Sequence, residues 1–509
     1  MSASTTRVAA WALGGLLLPA VLAGCGGTSH LPGQNGRLQL VIHTSPFDDA
    51  WAAVAVLRLT VTGDGDSRQE EFAPGRESVE LEFSPAGQAT VLLEGLDIDG
   101  RVVASGRSLP FALNEGDNPP VHLLFASRGV PVRLGADLAA ARFAHRAAAL
   151  PDGRVLLVGG AQQGGPAAPA IFAPPEIYDP VRQRACSLAD DTCPAADIDL
   201  LRIGHSLSGG DGKVLLFGGV DEGGNYLASV WLYSAAEGAF RQVSNFDPGQ
   251  VEPRRDHAAL SLGSGDNGRR QVLLAGGVTG SGQQARFPAS ALLFDFTAET
   301  FTRTSIGMTA GRADLCLLGL DTSRVLAIGG RAEAGPVKAV EIFQGQDFQP
   351  LDAGGEPAVL ARARSGPQCA LLDNGAVLVS GGADTFGASL ATAEVIETSG
   401  SVYQPEVEDP GGELARRGAL LLRDEGGRVI LAGGSRSDGF GEEALDSVVA
   451  LSLDDDGQKL LVDTLPPLPH RLQEAAVCEL PGGGYLLSGG WNDDGPGGRA
   501  SAEVWYYQP

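Results

Sequence analysis

Arginine recurs at one place in every repeat of an apolar pattern in this chain. Arg142, Arg202, Arg254, Arg312, Arg364, Arg416 and Arg471 each stand shortly before a strand-like run, and after the first three a histidine follows three positions later, at His145, His205 and His257. A guanidinium can clamp a carboxylate through two parallel hydrogen bonds, and an imidazole can move a proton near neutral pH. An acidic partner or an acid–base step could therefore be served here. A contact made for one ligand, however, has no reason to recur in every repeat. A bond from the guanidinium to the loop carbonyls of the next repeat does, so the recurrence points to a structural role. A second set is more variable: Phe172, Tyr226, Phe287, Phe386, Phe440 and Trp491, with Arg331, place one aromatic or arginine in each of seven loops of differing sequence. Such side chains anchor protein recognition, and aromatics stack on sugar rings; they are the candidate binding surface.

Other chemistry is thinly supplied. His470, Arg471 and Glu474 form the one local cluster with acid–base capacity. None of the nucleotide-binding, serine-hydrolase or zinc-protease motifs occurs. The Asp97-x-Asp99-Gly100 and Asp454-Asp455-Asp456-Gly457 segments lack the further spaced oxygens and closing glutamate of a calcium loop and read as solvated turns. No Cys/His spacing suggests zinc, so neither a metal nor a cofactor is implied. Cys186 and Cys193 flank a short polar loop and are expected to form a disulfide, whereas Cys316, Cys369 and Cys478 lie in apolar strands and read as small buried hydrophobes.

The elements that must position these groups announce themselves through glycine. Seven apolar runs end in a glycine pair: Gly159-Gly160, Gly218-Gly219, Gly276-Gly277, Gly329-Gly330, Gly381-Gly382, Gly433-Gly434 and Gly489-Gly490, at intervals of 52 to 59 residues. Each repeat runs in the same order: arginine, strand, tight turn, continuously apolar strand, glycine pair, variable loop, third strand. Apolar runs such as Val325-Leu326-Ala327-Ile328 suit strands covered on both faces. Before the repeats, residues 37–128 alternate with period two between turns, with candidate strands at 37–43, 54–62, 78–83, 89–96, 101–107 and 121–125.

The glycine pairs and third strands such as Glu341-Ile342-Phe343 and Glu503-Val504-Trp505-Tyr506 resemble the kelch family over residues 129–509. The resemblance implies an all-β fold, a seven-bladed kelch-type β-propeller, with the arginines near one mouth of its channel. The segment 130–134, a strand without a blade, is expected to complete the last blade. Residues 37–128 look like a small immunoglobulin-like β-sandwich. Kelch propellers also include sialic acid mutarotases and copper radical oxidases. The tyrosine and histidine set of the latter is missing here.

Arg7 and the apolar stretch 8–22 read as a leader, residues 1–24, removed on maturation. Leu22-Ala23-Gly24-Cys25 resembles a lipoprotein processing site with Cys25 lipidated, and residues 25–36 form a flexible tether. Gly26, in the aspartate position of the inner-membrane sorting rule, implies the outer membrane, facing the periplasm or the cell surface. The net charge of −25 excludes nucleic acid as a partner. The expectation is an envelope lipoprotein, held to the membrane by its N-terminal lipid, whose propeller binds an envelope or extracellular protein or a glycan without catalysis. A mutarotase-like sugar enzyme with its site at the channel mouth is the alternative. The two differ in surface: exposed aromatic loops for binding, a polar pocket with shifted pKa values for catalysis.

Overall fold

The computed structural model describes residues 16–23, 36–63, 66–75, 79–82, 87–114, 118–165, 168–186, 193–194, 198–247, 249–263, 271–280, 282–352, 354–397, 399–492 and 498–509. The fold is all-β, and no described helix is long and apolar enough to cross a membrane.

Two sheets form at the N-terminal end and share one apolar core. In Val56–Gly63 the buried set is Leu57, Leu59 and Val61, which fixes a register that the uniformly apolar sequence had left open. Its neighbour Asp66–Phe72 is a polar edge strand, unforeseen because DSRQEEF lacks apolar alternation. At the next hairpin Asp97 closes its own turn, its Oδ1 accepting from the backbone N–H of Asp99 and of Arg101, 2.9 Å each. Leu16–Ala23, within the expected leader, pairs antiparallel with Gly36–His43 and parallel with Val79–Glu82. Cys25 and most of the tether lie outside the described residues.

Among the described residues after 130 there are seven sheets of four or five strands; in six of them four antiparallel strands follow one another along the chain, and one of these six adds Glu406–Glu408 in parallel beside Lys459–Leu465. The seventh joins the two ends of this region: Pro131–Arg133 pairs antiparallel with Val504–Tyr507, beside Tyr485–Ser488 and Ala476–Glu479. The second strand of each sheet follows the apolar runs and is buried throughout in four of them, Val155–Val158, Val325–Ile328, Val377–Ser380 and Val429–Ala432. Side chains on its two faces feed different cores. Leu156 and Val158 pack toward the second sheet, while Val155 and Leu157 pack toward the seventh. Core follows core in this way around the sheets and back to the first. Each buried Val, Leu or Phe contributes ~1.5–3 kcal/mol.

Seven backbone hydrogen bonds repeat the same cycle. The second glycine of each pair donates its N–H to a carbonyl of the following sheet: Gly160 to Arg202, Gly219 to Arg254, Gly277 to Arg312, Gly330 to Arg364, Gly382 to Arg416, Gly434 to Leu472 and Gly490 to Arg142, at 2.8–3.1 Å. Gly382 shows why no side chain fits. Its φ is +80°, and a Cβ there would stand 2.7 Å from the carbonyl oxygen of Ser365. Gly382→Ala is expected to cost about 1–3 kcal/mol, read as a lower unfolding midpoint in urea, with an unchanged midpoint counting against the close approach.

Candidate functional site

Six of the seven arginines are fully buried, and their bonds explain the recurrence. In all but Arg312 the guanidinium donates to the carbonyl of the first glycine of its own sheet: Arg142 to Gly159 at 3.2 Å, Arg202 to Gly218 at 2.8 Å, Arg254 to Gly276 at 3.0 Å, Arg364 to Gly381 at 2.8 Å and Arg416 to Gly433 at 3.2 Å. The side chain thus grips its own sheet, not the next one, while the main-chain carbonyl of the same residue reaches the sheet before it. Arg142, Arg312 and Arg364 also meet buried carboxylates, Glu176, Glu341 and Glu394. Arg202, Arg254 and Arg416 meet the hydroxyls of Ser229, Ser290 and Ser447, and burial pushes their pKa down to about 10.

Arg471 departs from the set. Its guanidinium is exposed and pairs with Glu443 at 2.6 Å, and the carbonyl equivalent to those of the other arginines belongs to Leu472. The seventh sheet therefore puts a leucine in the arginine's place and fills the space with apolar packing. The sequence register was one residue out.

Counting from that carbonyl, the second residue onward has positive φ in every sheet: Ala144, Gly204, Asp256, Asp314, Gly366, Gly418 and Glu474. Four of the links between these residues are backbone hydrogen bonds, as from Asp256 N–H to the Gly204 carbonyl at 2.9 Å and from Gly366 N–H to the Asp314 carbonyl at 2.8 Å. A polar cavity of about 570 Å³ opens beside this ring, lined by Arg146, Asp314, Gln368, Arg417, Glu442 and Glu474 among others.

Two of these groups are poised for chemistry. Arg146 lines the cavity and stays open to solvent there, while the surrounding protein lowers its pKa by desolvation against the raising influence of Asp256 and Glu474. Its hydrogen bond among the described residues goes to the His145 carbonyl, 3.2 Å away, leaving most of the guanidinium for something else. The Glu474 carboxyl makes no ion pair among the described residues, and desolvation together with neighbouring Glu442 raises its pKa. Asp256 is raised too, first by desolvation, although it lies 3.4 Å from Arg255. The remaining charges are already engaged: Asp314 with Arg331 at 2.7 Å and Glu442 with Arg417 at 2.7 Å. A cation, an unpaired carboxyl of raised pKa and spare polar groups can hold an anionic polyol and shuttle one proton.

The three histidines stand behind this wall. His145 Nε2 meets Ser488 Oγ at 3.0 Å and His257 Nε2 meets Ser206 Oγ at 2.7 Å, while neither ring nitrogen of His205 has a partner. Burial lowers all three pKa values, His257 to about 3, so they are neutral and unsuited to proton transfer near pH 7. No grouping of three histidine, cysteine or carboxylate side chains among the described residues is placed to hold a metal ion.

The loop residues part company. Phe172 is buried; Tyr226 donates its hydroxyl to the Gly280 carbonyl at 2.5 Å; Phe287 lies under the Arg331 guanidinium at 5.4 Å; and Trp491 packs edge-on against Phe143 at 5.0 Å. These pin their own loops. Phe386 and Phe440 are 84% and 101% exposed. Cys186 and Cys193 are joined, and Cys316, Cys369 and Cys478 are free thiols at buried or half-buried positions.

No protein family and no curated protein sequence matches the chain. Among solved structures it is similar to that of YjhT, at 14% identity and a TM-score of 0.43, over 64% of this chain and 99% of that one. So loose a likeness adds nothing to the strand pairing above.

Proposed function

We propose that residues 129–509 are a seven-bladed kelch-type β-propeller whose channel mouth is a sugar-directed catalytic site of mutarotase type. The observation that carries this reading is the pairing of a largely uncommitted guanidinium, Arg146, with the unpaired Glu474 carboxyl in one polar cavity. Interconverting the anomers of a sugar needs a proton delivered to the ring oxygen and another taken from the anomeric hydroxyl. Glu474, whose pKa desolvation and neighbouring Glu442 raise, suits that exchange, and Arg146 suits a sugar carboxylate. The cavity is polar rather than plugged by apolar side chains, which favours catalysis over a purely adhesive role. Within the same reading, residues 37–128 are an immunoglobulin-like spacer, and a removed leader with lipid on Cys25 ties the protein to the outer membrane, so that the mature sheet does without the Leu16–Ala23 strand between Gly36–His43 and Val79–Glu82.

The test is anomeric exchange of N-acetylneuraminic acid, followed by NMR with and without protein. Exchange should accelerate with the native chain and fall roughly 100-fold in Glu474→Gln or Arg146→Met, with unfolding midpoints close to native. Exchange indifferent to the protein would sink the proposal. A non-catalytic binding role keeps one observation of its own, the two exposed phenylalanines.

A further inference from the structure

We propose that Phe386 and Phe440 form an outer sugar-binding platform on the rim of the Arg146–Glu474 cavity, so that the protein takes an acidic oligosaccharide entering by its free reducing end. This rests on reading the cavity as a sugar site and extends it outward.

The two rings sit on loops that touch. Ser389 N–H donates to the Ser437 carbonyl at 2.8 Å, and Ser437 N–H donates to Ser389 Oγ at 3.0 Å. Gly439 lies so close to the Phe386 carbonyl that a Cβ would stand 3.0 Å from its oxygen. Each tip is tightened in the same way: Asp384 Oδ1 accepts from Phe386 N–H at 2.8 Å, and Asp438 Oδ1 accepts from Phe440 N–H at 2.8 Å. The rings are therefore displayed from ordered backbone. Both loops also begin in the cavity wall, at Ala383 and Ser435, and Glu442, two residues beyond Phe440, lines it again. Phe386 thus lies three residues from the lining position Ala383, and Phe440 two residues from the lining position Glu442.

Size selects the occupant. Two aromatic side chains offer about 150–250 Å² each, whereas a stable protein interface buries roughly 1,200–2,000 Å². Two stacked sugar rings match what is offered. A free monosaccharide would be held by the cavity alone and would leave the platform without use.

The experiment compares N-acetylneuraminic acid with its α2,8-linked trimer on the full chain and on a Phe386→Ala/Phe440→Ala variant, reading NMR exchange and, independently, calorimetric affinity. The native protein should bind the trimer more tightly than the monomer. The variant should lose roughly 5- to 100-fold in trimer affinity while keeping the native monomer exchange rate. Equal binding of trimer and monomer by the native protein overturns the proposal, as does a trimer preference that survives in the variant. Phenylalanine-dependent trimer binding without any exchange would refute catalysis in the cavity and leave the platform standing.

Discussion

Glu394→Gln is expected to lower stability by about 3–5 kcal/mol, because it leaves the Arg364 guanidinium charged and uncompensated where no water reaches it. The two side chains are fully buried and meet at 2.7 Å, and the second carboxylate oxygen accepts from Ala361 N–H at 2.5 Å. Arg364 and Glu394 together fasten the segment before the first strand, and the third strand, to the carbonyl of Gly381, so the damage reaches the glycine pair that joins this sheet to the next. The urea midpoint of the single variant measures the loss. Arg364→Met/Glu394→Leu, which removes both charges and keeps the volume, should recover much of it. A single variant as stable as the native chain would mean that the pair is dispensable.

Acidification should unfold the protein early. His145, His205 and His257 have pKa values depressed by burial, so the unfolded chain binds protons that the folded chain refuses. Their contribution is complete above about pH 6.5 and is lost as pH falls below it. For His257, whose folded value is about 3, the loss between pH 6.5 and 4 is about 3 kcal/mol. Glu474 and Asp256 work in the opposite direction. Raised carboxyl values let the folded chain take protons first, which partly offsets the loss at the lower end of the range. Stability measured in urea at half-unit pH steps should fall between pH 6.5 and 5, with these three histidines bringing the slope toward three protons and His43 and His122, also lowered by burial, adding to it; His257→Gln should flatten it by about one. A flat profile across that range would show that the rings are accessible to protons in the folded state.

Much of the fold was legible because the sequence repeats. Continuous apolar runs with glycine pairs mark strands covered on both faces, and the buried Val325–Ile328 is such a strand. The strand before the first repeat, without a sheet of its own, pairs with Val504–Tyr507. The polar strand Asp66–Phe72 was hidden because an edge strand open to water needs no apolar alternation. The candidate site was legible only in part: Glu474 belongs to the local His470, Arg471 and Glu474 cluster, whereas its partner Arg146 carries no local signal. At the position of Glu474 the other sheets carry alanine, glycine and aspartate, and the position of Arg146 is filled elsewhere by Ser206, Ala258, Cys316, Gln368, Leu420 and Ala476. Looking for recurrence finds the frame and discards what differs between copies. Arg471 is the complementary case: recurrence counts it as a seventh copy, but it stands one residue from that place, which Leu472 holds.

The seventh sheet carries a consequence for how the chain matures. Its outer strand, Pro131–Arg133, emerges from synthesis long before its partner Val504–Tyr507; Arg128 and Gly129 reach the same later segment, through Pro509 at 2.6 Å and Gln508 at 2.8 Å. Until residues 490–507 arrive, Pro131–Arg133 lacks the strand it pairs with and the Arg142 carbonyl lacks Gly490. The nascent protein is an open clasp, exposed to misassociation for the whole of its elongation. A chain that lacks Val504–Tyr507 leaves that clasp unfastened and should be a ready target for proteolysis.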